Sequence, residues 1–380
     1  MEIMTELSQE MYNTATKVVS VEQAMRVLQQ TGNFRTLGDI LRSYSGCDNP
    51  KKLLVDGLMA NTPSVNRDSI DKKVRNWLGG RTQTLSKEDA FSLAQIMSLD
   101  IRRTDTFLKL VTGEGIHWRD PEDIIWSYCI RSGLSYQRTT ELLVRYFERV
   151  AQVVYGAPAF DSYTVDVRSD LQSALSDSEE AFLNSLVREY QHGRLGVSHN
   201  TAYRLFMHYM QLLALAGQDE FDEDPVETKM SSRDILESYM YRQLVPVAKR
   251  GEPKDKSAFS MVQRSIRANW PDEVTISKMK NRELDVTRKV LILLFLATDG
   301  SESEFEELDE DEDILTRDEI FQNVYSRLNR MLLSCGFQQL DPRSPFDWMV
   351  LYCICVDDLW DVDQRFKDLL QAMFQEGTDK

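Results

Sequence analysis

Most residues that could do chemistry in this sequence fail on spacing. Asp309, Asp311 and Asp313 stand like the first ligands of a calcium loop. The sixth position, however, is Ile314 where glycine is needed, and the twelfth is Ile320 where a bidentate glutamate belongs. Cys353 and Cys355 are one residue apart, too close for a zinc pair, and no second pair follows. His117, His192, His199 and His208 contain no i, i+4 pair with an intervening glutamate. Asp357, Asp358, Asp361 and Asp363 near Trp360 could serve acid–base work. The charged face of a helix whose inner side carries Leu369, Leu370 and Met373 explains them more simply. No GxxxxGK[ST], GxGxxG or GxSxG occurs. The sequence thus implies no metal, no cofactor and no enzyme activity.

The elements that would position a site are helical. Ile124, Ile125, Tyr128 and Cys129 follow a helix stripe, as do Ile320, Val324, Leu328, Met331 and Leu332. Thr316 with Glu319 three residues on forms a capping box, and Ser86 with Asp89 forms an acidic variant of one. The stretch from Thr201 to Gly217 reads as a long helix stopped by glycine. Alternating patterns are scarce, and residues 163–167 (YTVDV) are the best strand candidate. The predicted class is all-α.

Length and charge set the remaining bounds. The 380 residues, 42% hydrophobic and 28% charged, suit a globular chain of two or three domains. The longest apolar run, Val290 to Ala297, is eight residues against the roughly 20 of a bilayer span. With an acidic first segment and five cysteines in mostly apolar settings, this predicts a cytoplasmic protein with no membrane partner. Composition breaks predict an N-terminal extension over 1–33 and domains over 34–116, 117–247 and 248–380. The last contains an acidic loop at 299–313 with ten carboxylates.

The net charge of -16 is uneven. Residues 34–118 hold thirteen basic and ten acidic side chains, a local +3, whereas 119–380 carry -17. A second basic stretch, 261–290, holds Arg264, Arg267, Lys278, Lys280, Arg282, Arg288 and Lys289. It reads as a solvated helix face or as a second phosphate-facing surface, which the acidic loop could cover. One internal echo stands out. Pro121-x-Asp123 with Tyr128-Cys129-Ile130 recurs as Pro345-x-Asp347 with Tyr352-Cys353-Ile354. Two helices started the same way, or a duplication, would each produce it.

Residues 34–116 read as five short helices. Apolar periodicity begins at Phe34, Leu37, Ile40 and Leu41, and a second helix follows Asn49-Pro50. The third runs from Arg67 to Trp77 and stops at Gly79-Gly80, and two more follow Ser86 and Thr104. Val74-x-x-Trp77-x-Gly79, Leu85-Ser86-x-Glu88, Ala94-x-x-Met97-x-Leu99 and the closing Leu108 to Leu110 segment resemble the Cro/C1-type (XRE) helix-turn-helix family. The remainder, with Asn269-Trp270-Pro271 and Asp341-Pro342-Arg343, is similar to uncharacterised regulator-like proteins of Gram-positive bacteria.

The helix-turn-helix resemblance implies double-stranded DNA as partner and the third helix in the major groove. It implies Arg67, Asp68, Asp71 and Lys72 as groove-facing residues, with Lys73, Arg75 and Arg81 toward phosphates. A transcription-regulator function follows, with the C-terminal region regulatory or bound to a protein partner. The small local charge keeps an alternative open, a protein–protein interaction adaptor that reuses the fold.

Overall fold

Helix starts in the computed structural model are set largely by side-chain caps. The structure describes residues 6–62, 64–82, 84–154, 164–195, 200–215, 230–246, 260–298, 316–358 and 361–374. In chain order the helices are α1 (Glu6–Lys17), α2 (Val21–Gln29), α3 (Leu37–Ser45), α4 (Pro50–Asn61), α5 (Arg67–Leu78), α6 (Lys87–Ile96) and α7 (Ile101–Thr112). Next come α8 (Pro121–Arg131), α9 (Tyr136–Val150), α10 (Thr164–Ala174), α11 (Glu179–Gln191), α12 (Asn200–Leu215) and α13 (Ser232–Ser238). The last are α14 (Met261–Arg267), α15 (Glu273–Lys280), α16 (Arg288–Thr298), α17 (Arg317–Ser334), α18 (Pro345–Ile354) and α19 (Asp361–Phe374). Among the described residues there is no strand, only an isolated bridge between Glu114 and Phe337, so the protein is all-α.

The capping box at Thr316 is complete, because Glu319 accepts from the Thr316 N–H and hydroxyl while its own N–H returns to Oγ1. Ser86 caps Asp89, but the Asp89 carboxylate pairs with Lys73 instead of closing the box. The strand candidate is overturned. From Thr164 the chain is α10, whose buried Val167, Leu171 and Ala174, with Leu175 just beyond, show the helical spacing a five-residue window hides. The acidic segment 299–313, with its calcium-like aspartates, lies outside the described residues.

The chain groups into two compact units. One contains Thr36–Thr201 and Cys335–Gln338; the other contains Met1–Arg35, Ala202–Ser334 and Gln339–Lys380. Residues 36–201 thus group together across position 116. Helices α6 and α7 both pack on α8, and Lys87 of α6 reaches Asp123 of α8. Likewise α1 and α2 pack on α18 and α19, with Trp348 Nε1 donating to Met11 O at 3.1 Å.

Each unit is built around one deeply buried helix. In the first-named unit this is α8, buried from Asp123 to Cys129; in the other it is α18, buried at all ten positions and packed against α1, α14, α17 and α19. Both begin with proline at the first helical position and carry an aspartate two residues on. Asp123 Oδ2 accepts from His117 N at 2.8 Å and from Lys87 Nζ at 2.9 Å. Asp347 accepts from Asp341 N at 2.9 Å and from both Arg288 Nη atoms at 2.7 and 2.8 Å. In each case the backbone donor lies six residues upstream and the cation is the first residue of another helix. The sequence echo thus marks the same latch, made twice.

Only 3% of either aspartate side chain is exposed. Removing one partner of such a pair strands a buried charge, which costs about 3–5 kcal/mol. Asp347→Ala is expected to lose that much in urea denaturation followed by circular dichroism, and Asp123→Ala less, because Lys87 is part-exposed and keeps Glu114 at 3.7 Å. A loss below about 1 kcal/mol would contradict the latch.

Candidate nucleic-acid interface

Helix α5 is amphipathic along its whole length. Ile70, Val74 and Trp77 recur at i, i+4 and i+7 and are buried, which turns Arg67, Asp68, Lys72 and Arg75 outward. Asn66 starts the helix by accepting from Asp68 N at 2.9 Å. Helix α4 packs along α5, joined to it through residues 62–66. The C-terminal end is held by α3. A Cβ on Gly38 would lie 2.4 Å from Leu78 O, and Arg42 Nη2 donates to that same carbonyl at 2.7 Å. Only glycine permits this approach. Gly80, at φ +68, then turns the chain away.

The outer face is exposed but its cations are mostly engaged. Arg67 pairs with Asp56 at 2.8 Å. Asp71 receives Lys51 and Arg75, both at 2.7 Å, and the Lys51 ammonium holds its carboxyl below the usual value, with Arg75 adding to the effect. Lys73 points to the flank, where it pairs with Asp89 at 2.7 Å and lies over the Trp77 ring at 5.0 Å. Asp68 is exposed. Lys72 and Arg81 are exposed and have no carboxylate partner among the described residues. Six of the seven candidate residues are thus on α5, and Arg81 follows the glycine turn.

Sequence reasoning missed Lys51, Asp56 and Asp89, which decide how much positive charge α5 can offer. Only the Asp71–Arg75 pair had a local signal, the i, i+4 spacing. In the second basic stretch, Arg288 is committed to Asp347. Lys289 is half-buried, with its Nζ donating to Ile266 O and Ala268 O. Burial lowers the Lys289 pKa to about 7, against the pull of Asp347. Neither residue faces solvent phosphate. Lys278 and Lys280 of α15 do remain exposed.

Two other features lie in the same unit as α5. A groove of about 610 Å³ runs along Leu53, Gly57, Ile96, Leu134 and Tyr136, with Lys52 and Asp56 also in its lining. Among the described residues, no three His, Cys, Asp or Glu side chains come close enough to hold a metal ion, and no helix is long and apolar enough to cross a membrane. The second feature is the polar cluster around Asp123. Burial pushes the Asp123 carboxyl up to about 7, although Lys87 pulls it back. Burial also works against the Lys87 charge, but Asp123 and Glu114 outweigh it and raise its pKa. Both ring nitrogens of His117 are sealed from solvent, and burial, with Lys87 and Arg119 nearby, lowers its pKa to about 3.

No protein-family model, curated protein or solved structure matches this chain.

The His117 shift has a definite sign. Its pKa in the folded protein lies below the ordinary 6.5, so on acidification the unfolded chain takes up a proton that the folded chain refuses. The His117 contribution to stability is therefore lost as pH falls below about 6.5, at up to about 1.4 kcal/mol per pH unit, while the raised Asp123 pKa acts with the opposite sign over the same range. Between pH 7 and 5 the His117 contribution amounts to about 2 kcal/mol, and the His117→Gln variant is expected to lack that part of the loss. Parallel urea titrations of the two proteins check it; identical pH dependence would contradict the assignment.

Proposed function

We propose that the chain is a DNA-binding regulator-like protein that presents α5 to the major groove. The observation that carries this reading is the accessibility of α5. Its inner face is packed by its own unit, while Arg67, Asp68, Lys72 and Arg75 stand on an open outer face. A helix presented in this way, behind a short connection from the preceding helix, has the geometry of a groove-reading element. Arg67, at the first turn, is placed to read a guanine bidentately once it leaves Asp56. Lys72 and Arg81 supply the sequence-independent attraction, because no carboxylate among the described residues already holds them.

The ion pairs shape the behaviour expected of such a site. Arg67, Lys73 and Arg75 must exchange aspartates for phosphates or bases, so the net electrostatic gain per contact is small. Binding is then weak at physiological salt, with a shallow salt dependence carried mainly by Lys72 and Arg81. The same ion pairs favour a second reading, in which α5 is a neutralised surface and the chain acts as a protein–protein adaptor.

The experiment is a salt-titrated binding assay on duplex DNA with wild type and the Lys72→Glu, Arg81→Glu double variant. The double variant is expected to bind more weakly and to lower the slope of log K against log[salt] by about 2. Equal affinity and slope for the two proteins would exclude α5 as the phosphate-contacting element and favour the adaptor.

A further inference from the structure

Helix α9 carries an apolar seam that is left exposed among the described residues of its unit. Its inner stripe, Thr139, Leu142 and Tyr146, is buried, and Leu143 and Val150 pack at the border of the core. A second stripe, Thr140, Val144, Phe147 and Ala151, recurs at 4-3-4 spacing, the rhythm of a helix–helix seam. Val144 is 56% exposed and Phe147 46%. Val154, just beyond the helix, continues the spacing and is also exposed. Of the nine large apolar side chains exposed among the described residues, these three fall within eleven positions. Scattered apolar residues need no explanation, but a contiguous line of them marks an interaction surface.

The charges beside the seam say what fits it. At 100° per residue, Glu141 and Glu148 flank the stripe on the side away from the core, and because Arg138 holds Glu141 at 2.6 Å, Glu148 is the open charge of that flank. Arg138, Arg145 and Arg149 lie further round and are occupied: Arg138 and Arg145 pair with Glu179, and Arg145 and Arg149 with Glu180 of α11. Glu148 is exposed and has no ion-pair partner among the described residues. An antiparallel pairing of α9 with a second copy of itself would set this acidic flank against its own image, so like charges would meet. A partner with lysine or arginine beside its apolar stripe meets no such penalty.

We propose that α9 docks an amphipathic helix of another protein, whose apolar stripe seats on Val144 and Phe147 and whose basic flank faces Glu148. This is recognition of a helix through anchors at i, i+3 or i+4, and i+7. The seam from Thr140 to Ala151 is about 18 Å long, which places the contact at the small end of specific interfaces and the affinity near micromolar. The surface is independent of α5, so it stands whether or not the chain binds DNA.

The test uses the full chain and a labelled helical peptide of about five turns, with a leucine stripe flanked by lysines, and its twin flanked by glutamates. Fluorescence anisotropy is expected to show micromolar binding of the lysine peptide and at least about tenfold weaker binding of its twin. Phe147→Asp is expected to weaken the lysine peptide at least about tenfold. Because that change adds negative charge, general attraction to an acidic protein would leave binding unchanged or strengthen it. Glu148→Lys is expected to remove or reverse the preference between the peptides. Circular dichroism melts of both variants check that they fold, since these positions are exposed. Binding insensitive to Phe147→Asp, or a preference insensitive to Glu148→Lys, would overturn the proposal. So would sedimentation showing a dimer that Phe147→Asp dissolves, because the seam would then belong to a second copy.

Discussion

The buried carboxylate at the start of each central helix is the constraint on which the rest of both units depends. A helix as apolar as α18 has no polar face to orient it, and side-chain packing alone leaves its rotation and register weakly specified. Asp347 fixes both, because its carboxylate must meet Arg288 and the Asp341 N–H together or remain an uncompensated charge in the core. Asp123 does the same for α8 with Lys87 and the His117 N–H. In each unit the cation opens another helix, so the aspartate ties two helix starts and the segment that leads into its own helix. The proline before each aspartate costs nothing there, since the first N–H of a helix has no partner within it.

That constraint reaches the surface through α6. Lys87, locked on Asp123, opens the same helix whose Asp89 draws Lys73 to the flank of α5. The face of α5 is therefore a compromise between an open helix and a set of carboxylates supplied by its neighbours. Lys51 and Arg75 share Asp71, and Arg67 leans on Asp56 of α4. Exposed pairs of this kind contribute little to stability, on the order of 0–1 kcal/mol each. Their consequence is for binding, because each must be exchanged before a phosphate or base can be held. On the proposed function, specificity through Arg67 and attraction through Lys72 and, beyond the glycine turn, Arg81 are separable.

The sequence was legible where signals were local. The all-α class followed from periodicity, and the Thr316–Glu319 box is present as read. The echo of Pro121-x-Asp123 in Pro345-x-Asp347 pointed to both central helices, but not to what the aspartates do. Their partners, Lys87 and Arg288, lie 36 and 59 residues away and carry no signal in the linear chain. Shorter gaps, 11 residues from Asp56 to Arg67 and 16 from Lys73 to Asp89, are still beyond helical spacing and hid those pairs from the account of α5. The strand candidate at 163–167 failed because two alternations also fit one turn of helix, and only Leu171 and Ala174 resolve them. The seam on α9 was hidden differently. Leu142, Leu143, Val144, Tyr146 and Phe147 form one wide apolar arc in sequence, and only the packing divides it into a buried stripe and an open one.

The central claim is that Arg67 is shared between Asp56 and DNA, and the most direct measurement is the affinity of Asp56→Asn for duplex DNA as salt is varied. Neutralising Asp56 frees the guanidinium and removes a nearby negative charge, so the variant should bind more tightly than wild type, with a steeper salt dependence. Affinity that is unchanged or reduced would contradict the account.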